Sequence, residues 1–199
     1  MVGKGPSGRA GESEERNIAV SHAIFSRLKH DLGQHCHSMN ELKTIGYEGF
    51  TIRDFIDLLK RCRVSMIVDV RELPISRKPG FAKAALAAML EKHGIKYQHV
   101  PELGCPRDIR HEYRDNGDWE RYSRRFKNYL ESQGEAVERL IEWLDEEQCC
   151  LLCFEEDYNF CHRSYVAEQA ILKMDDPVRI HHLTGPMSGR VVRPDLVAA

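Results

Sequence analysis

CCLLCFEEDYNFCHRSYVA, residues 149–167, is the stretch that decides the fold of this chain. Its first part, 149–154, is a short continuous apolar run of the kind found in strands buried on both faces. Apolar residues at helical spacing follow and predict a helix over 164–174. The polar residues between the two elements therefore lie at the carboxyl end of a strand, where open α/β sheets bind ligands.

Three adjacent residues of this stretch, Cys161, His162 and Arg163, combine a thiol, an imidazole and a guanidinium. A thiol at a helix start beside cationic groups has a lowered pKa, so Cys161 is a candidate nucleophile. His162 or Glu155 can transfer protons, and Arg163 can hold a phosphate or carboxylate by two parallel hydrogen bonds. Singly, each has an ordinary alternative as a buried thiol, a turn residue or half of an ion pair. Together at a strand end they favour a functional site, with catalysis and binding both open.

A second buried strand, predicted at 64–70, brings Asp69 and Arg71 to the same edge of the sheet, and a stiff loop with Ser76 follows. A buried Asp69 needs a partner, so Arg71 is either half of an internal ion pair or a ligand-binding residue. The predicted substrate-binding residues are Tyr47, Asp69, Arg71, Ser76 and Arg163, and the predicted catalytic residues are Glu155, Cys161 and His162. We expect the Arg71 and Arg163 guanidinium groups to converge on one bound anion.

The remaining sequence alternates strands and helices at βαβ lengths. Further strands are predicted at 42–47, 95–100 and 178–183, with helices at 51–62, 81–93 and 119–147, the last broken near Gly134. This alternation predicts a mainly parallel sheet with flanking helices, a three-layer, Rossmann-like α/β fold. The polar, arginine-containing segment 101–118 is predicted to be a functional loop. Arg107, Arg110 and Arg114 also have the spacing of one helical face, which is more typical of a solvated, salt-bridged surface than of a phosphate-binding patch.

Domain boundaries follow from where the apolar residues stop. Residues 1–16 bury almost nothing and are predicted to be a flexible tail, and 186–199 a C-terminal extension. A single α/β domain is expected over 17–185, beginning with an amphipathic helix at 17–32. The HCH segment at 35–37 is more typical of a loop than of a metal site, because no other ligands lie near it in sequence.

The composition excludes several classes of protein. The 199 residues are 42% hydrophobic with a net charge of −2, which does not favour nucleic-acid binding. No run approaches the roughly 18 apolar residues of a membrane span, and the first residues lack a secretory apolar core. Seven cysteines without CxxC spacing indicate reduced thiols rather than a disulfide framework. A cytoplasmic location is therefore predicted, and nothing in the sequence specifies an oligomeric state.

Four sequence blocks in one order resemble the domain of unknown function 488 family, over about residues 43–180. They are TIGYEGF at 44–50, VDVRELPIS at 68–76, GIKYQHVPELGCP at 94–106 and LLCFEEDYNFCHRSYVA at 151–167. Cys105 departs from the family's usual small residue in the LG-x-P block. The resemblance implies an α/β domain with a C-terminal Cys-His-Arg motif, and it implies no activity.

The first function that these residues indicate is an enzyme, a thiol- or acid/base-dependent hydrolase or transferase. Its partner would be a small anionic ligand or nucleotide carrying a phosphate or carboxylate. The alternative is a non-catalytic nucleotide or nucleic-acid binding module in which Tyr47, Tyr113 or Tyr158 stacks on a base. A third hypothesis is a metal site of Cys153, Glu155, Cys161 and His162, whose residue types suit zinc although their spacing matches no standard pattern. The favoured enzyme is expected to hold no bound cofactor or metal.

Overall fold

Five parallel strands form the sheet of the computed structural model, which describes residues 41–185. The strands are β1 (Glu41–Gly46), β2 (Met66–Asp69), β3 (Lys96–His99), β4 (Cys149–Cys153) and β5 (Arg179–Leu183). Their order across the sheet is β3, β2, β4, β1, β5, and all neighbours pair in parallel. The central strand is β4, and all of its residues are buried, as its apolar run predicted.

Six α-helices cover the two faces of the sheet in the described part of the chain. They are α1 (Ile52–Arg61), α2 (Lys83–Lys92), α3 (Arg107–Asn116), α4 (Trp119–Glu131), α5 (Gly134–Glu146) and α6 (His162–Ile171). One apolar core joins α1 and α2 to one face, and a second joins α3 to α6 to the other. The predicted three-layer α/β fold is therefore confirmed.

Local signals in the sequence account for several helix ends. The Thr51 hydroxyl accepts a 3.2 Å hydrogen bond from the backbone N–H of Asp54 and caps α1, as predicted. Gly94 follows α2 with φ of +71°, a left-handed conformation that glycine adopts without strain. The predicted break near Gly134 separates α4 from α5.

The segment 101–118 differs from its prediction, because most of it is the helix α3 rather than a loop. Its charged residues are paired: Arg110 contacts Glu72, and Arg125 of α4 contacts both Asp108 and Glu112. Ion pairs on an exposed helix face make a polar segment compatible with helix. The low apolar content that indicated a loop instead reflects a solvated helix surface.

Four predicted segments lie outside the described residues: the tail at 1–16, the helix at 17–32, the HCH segment at 35–37 and the extension at 186–199. Within residues 41–185, no helix is long and apolar enough to cross a membrane.

Candidate active site at the carboxyl edge of the sheet

The loop that follows β4 is held against the end of β1 by backbone contacts. The N–H groups of Tyr47 and Glu48 donate to the carbonyl oxygens of Cys153 (3.2 Å) and Phe154 (2.9 Å). A Cβ atom on Gly46 would lie 1.6 Å from the carbonyl oxygen of Glu155. Glycine has no Cβ atom, so only glycine at position 46 allows this close approach. The approach positions the backbone of Glu155.

Four reactive side chains meet at this edge. The Cys153 thiol lies 2.7 Å from Oε2 of Glu155, and Sγ of Cys161 lies 3.2 Å from the same oxygen. Nδ1 of His162 is 3.7 Å from Sγ of Cys153. One ligand-type atom from each of the four residues lies within 4.8 Å of the other three. The predicted catalytic residues Glu155, Cys161 and His162 are thus brought together, with Cys153 as a fourth member.

Burial distinguishes the members of this cluster, which we call the Cys/Glu/His cluster. Cys153, Cys161 and His162 are 3%, 1% and 6% exposed, whereas Glu155 is only partly buried. Cys161 is the N-cap of α6, which begins at His162, two residues earlier than predicted. Glu155 is therefore the member of the cluster with the greatest exposure to solvent.

The imidazole of His162 has a fixed orientation. Its Nε2 donates a 2.8 Å hydrogen bond to the carbonyl oxygen of Val70, which directly follows β2. The ring of Phe126 packs edge-on against it at a centroid distance of 5.4 Å. Nδ1 is therefore the nitrogen that faces the cluster, and the one that can take up a proton or bind a ligand there.

Arg163 places a buried positive charge beside the cluster. Its side chain donates to the carbonyl oxygens of Glu155 (2.6 Å) and Glu156 (3.0 Å) and to the Thr44 hydroxyl (3.4 Å). It is 1% exposed, and none of its contacts within residues 41–185 is with a carboxylate. Burying an unpaired cation is costly, so the negative charge that balances it is expected in the cluster.

The pKa shifts within the cluster have opposite directions. Burial raises the pKa of Cys161, but the Cys153 hydrogen bond, the Arg163 charge and the His162 contact outweigh it and hold that pKa well below its usual range. Burial and the contact with Cys161 raise the pKa of Cys153 well above its usual range. Burial, followed by the Cys161 charge, raises the pKa of Glu155. The cluster thus contains one thiol that ionises easily and one that keeps its proton.

Asp69 and Arg71 form an internal ion pair, one of the two alternatives left open by the sequence. Nε and Nη2 of Arg71 donate to the two Asp69 oxygens at 2.8 and 2.5 Å, and the Tyr97 hydroxyl donates to Asp69 at 2.6 Å. Nη1 of Arg71 donates to the Tyr47 hydroxyl and to the carbonyl oxygen of Phe81. Most donors of this guanidinium are therefore bound to protein acceptors.

Arg71 and Arg163 contact different parts of the core, and the convergence of their guanidinium groups on one anion stays a prediction. Arg71 lies among Tyr47 and Phe81, which belong to the core beneath α1 and α2. Arg163 bonds to Thr44 and belongs to α6, which packs on the other face. Arg71 follows β2 in the chain, whereas Arg163 is the second residue of the helix α6. A direct contact of either one with a ligand stays a prediction.

The two other predicted binding residues have structural contacts. Tyr47 is 2% exposed and stacks on Phe81 at 4.4 Å, with the Arg71 guanidinium 5.2 Å from its ring centroid. Ser76 accepts a hydrogen bond from the backbone N–H of Lys78, which closes a turn. Tyr47 also contacts Cys153 through its backbone N–H, and the ligand-binding roles of Tyr47 and Ser76 stay predictions.

Sequence analysis missed the partners that orient the cluster. The Val70 carbonyl, Thr44 and Phe126 are distant in sequence and read as ordinary core residues. Cys153 was considered only as a zinc ligand. Its position at a strand end, two residues before Glu155, was the signal that it belongs to the cluster. Cys105, the departure from the family pattern, is buried, and burial raises its pKa to about 12.

Exposed apolar side chains surround this edge of the sheet. Phe154 (43% exposed) directly precedes Glu155, and Phe160 (55% exposed) directly precedes Cys161. Leu73 and Ile75, at 56% and 77%, lie in the loop after β2. Of the five exposed large apolar residues among 41–185, four therefore lie in the segments that connect β2 to α2 and β4 to α6.

A family model described as domain of unknown function DUF488 matches residues 51–170. The match includes the ion pair of Asp69 and Arg71 and all four members of the Cys/Glu/His cluster. No curated protein and no solved structure matches the chain.

Proposed function

Because this chain belongs to the DUF488 family, whose description assigns no activity, we propose its function from the site: an enzyme whose reactive centre is the Cys/Glu/His cluster. The observation that carries this proposal is the convergence of two thiols, a carboxylate and an imidazole within 4.8 Å at the carboxyl edge of a parallel sheet. Parallel α/β sheets bind their ligands at this edge. Ionisable groups with strongly shifted pKa values are characteristic of reactive sites.

Each member of the centre has a distinct role in the proposal. Cys161 supplies an anionic thiolate, stabilised by Arg163 and by the N-terminus of α6. Glu155, the most solvent-accessible member, exchanges protons with substrate or water. His162 is held by Val70, so that its Nδ1 faces the other groups. These roles suit a hydrolase or transferase reaction.

The substrate reaches the centre at Glu155. Phe154 directly precedes Glu155, and Phe160 directly precedes Cys161. Their exposed rings offer contact to a planar or apolar part of the substrate. The proposed substrates are small anionic molecules and nucleotides. Arg163 acts on them through its charge, because its donors are occupied by Thr44 and by backbone carbonyls.

A turnover screen tests this proposal. The purified chain is incubated with nucleotides, phosphosugars and carboxylate esters, and products are measured by mass spectrometry. We expect Glu155→Gln and Cys161→Ser to lower turnover by about 100-fold or more, the range of a lost acid–base group. Glu168→Gln, an exposed change on α6, is the matched control. Ligand binding without turnover, or turnover that both site variants retain, would overturn the enzyme proposal, and binding alone would favour the non-catalytic module.

A further inference from the structure

The donor set of the cluster favours a metal site, which the sequence indicated only as a third hypothesis. Two thiols, one imidazole nitrogen and one carboxylate oxygen form a mixed set of soft and borderline ligands. Magnesium and calcium prefer oxygen ligands only, whereas zinc is bound by cysteine, histidine and carboxylate in fourfold sites. We propose that the cluster binds one Zn²⁺ ion through Cys153, Cys161, His162 and Glu155. This deepens the proposed function, since it rests on the same site and names its cofactor.

Two separations between donor atoms are close to those of a tetrahedral site, and a third has to lengthen. With Zn–S bonds of about 2.3 Å and Zn–N or Zn–O bonds of about 2.0 Å, tetrahedral donors lie roughly 3.3 to 3.8 Å apart. Nδ1 of His162 is 3.7 Å from Sγ of Cys153, and Oε2 of Glu155 is 3.2 Å from Sγ of Cys161. The 2.7 Å separation of Cys153 and Glu155 has to open by about 1 Å, which rotation of the partly exposed carboxylate allows.

The hydrogen bond from His162 to Val70 is independent support. Histidines that bind metals usually donate their second ring N–H to a carboxylate or a backbone carbonyl, which fixes the tautomer and aims the other nitrogen. Nε2 of His162 makes this bond at 2.8 Å, and the edge-on Phe126 ring restricts rotation. The lone pair of Nδ1 is thereby directed at the thiol group of Cys153.

The charges balance when zinc is present. Two thiolates and a carboxylate carry three negative charges, and Zn²⁺ leaves a net charge of −1. The buried Arg163 guanidinium, which contacts no carboxylate within residues 41–185, neutralises the remaining charge. A neutral assembly avoids the free energy that an uncompensated buried cation costs.

The ligands differ in how firmly they are held. Cys153 ends the central strand β4, and Cys161 and His162 begin α6, so these three are fixed by buried secondary structure. Glu155 lies on the intervening loop and is partly exposed. Three fixed ligands and one displaceable position are the arrangement of catalytic zinc sites, whereas structural sites are closed by four held ligands. Zinc held by Cys153, Cys161 and His162 would activate a water or substrate for hydrolysis, and Glu155 would be the ligand that gives way and exchanges protons.

Metal content of the full chain is the direct test. Protein expressed with added zinc is analysed by inductively coupled plasma mass spectrometry, and zinc X-ray absorption reports the ligand atoms. We expect about one zinc per chain and a first shell of two sulfur and two nitrogen or oxygen atoms. Cys153→Ser, Cys161→Ser and His162→Gln should each weaken zinc binding at least about 10-fold. Cys62→Ser, a partly exposed thiol outside the cluster, should retain the metal.

A measurement on the wild-type chain keeps the test decisive if ligand variants fail to fold. Zinc is removed with a chelator and Co²⁺ is added, and sulfur-to-cobalt charge-transfer absorption is recorded. Wild-type protein with neither zinc nor this absorption would overturn the metal proposal, and the enzyme proposal would stand if Cys161→Ser still abolished turnover. One tightly bound zinc with turnover unaffected by Glu155→Gln would support the metal site while contradicting the catalytic role.

Discussion

The Nε2 atom of His162 donates a 2.8 Å hydrogen bond to the backbone carbonyl oxygen of Val70, and so ties the first residue of α6 to the end of β2. This contact separates the two nitrogens of one ring into a structural donor and a reactive position. It therefore allows the two roles of His162 to be tested separately.

Substitution of His162 by glutamine should preserve stability better than substitution by alanine. The glutamine amide can replace Nε2 as the donor to Val70, but it offers no counterpart of Nδ1. We expect the free energy of unfolding of His162→Gln to exceed that of His162→Ala by about 1 kcal/mol, the net contribution of one hydrogen bond. Both variants should lose turnover and zinc. Urea unfolding of metal-free protein checks this, and equal stabilities would argue against the anchoring role.

Thiol reactivity should differ sharply among the cysteines of metal-free protein. Burial raises the pKa of Cys105 and of Cys149 to about 12, so both should resist iodoacetamide below about pH 9. Cys161, whose pKa lies well below its usual range, should be labelled first. Alkylation followed by site-resolved mass spectrometry measures the order. Labelling of Cys105 or Cys149 before Cys161 would contradict it.

Removing one partner of the Asp69 and Arg71 pair should destabilise the fold without releasing zinc from the Cys/Glu/His cluster. Asp69→Asn leaves a buried guanidinium without its counter-charge, and we expect a loss of about 3 to 5 kcal/mol in the free energy of unfolding. Because the pair lies on the other face of the sheet, the zinc content of the folded fraction should not change. A stable Asp69→Asn protein without metal would place this ion pair within the site.

Glycine at position 46 should be required for the loop that carries Glu155. An alanine Cβ there would lie 1.6 Å from the Glu155 carbonyl oxygen, so the loop must move. Gly46→Ala should lower both the melting temperature and the turnover. Gly134→Ala is the matched control, because its added Cβ meets only the end of Lys173 at 3.9 Å. Thermal unfolding of both variants measures the difference, and equal melting temperatures would contradict the close approach.

Glu147 should contribute to the acid sensitivity of the fold. Hydrogen bonds from Lys96 and Ser65 hold its pKa below the ordinary value of 4.5. A lowered folded-state pKa means that the stabilisation is present above pH 4.5 and is lost as the pH falls through the folded-state value. Glu147→Gln should therefore flatten the pH dependence of the unfolding free energy below pH 4.5. An unchanged slope in urea unfolding at several pH values would contradict this.

The spacing of apolar residues and the residues that start and end helices were sufficient to predict the sheet and most helices. The apolar runs of β2 and β4 report burial on both faces, and Thr51 and Gly94 mark helix ends through local hydrogen bonding and backbone conformation. Segment 101–118 was mispredicted because its ion pairs are made with residues of other segments, such as Glu72 and Arg125. Such pairs leave no local signal.

The sequence by itself determined that Cys161, His162 and Arg163 lie at the carboxyl edge of a parallel sheet, because strand, loop and helix follow one another directly there. Only the tertiary structure decided which side chains meet. Arg71 contacts Tyr47 of the core beneath α1 and α2, whereas Arg163 belongs to α6, which packs on the other face. The order of strands places Val70 beside His162, and the approach of Gly46 to Glu155 positions the carboxylate. These are contacts between segments distant in sequence, which spacing along one chain does not encode.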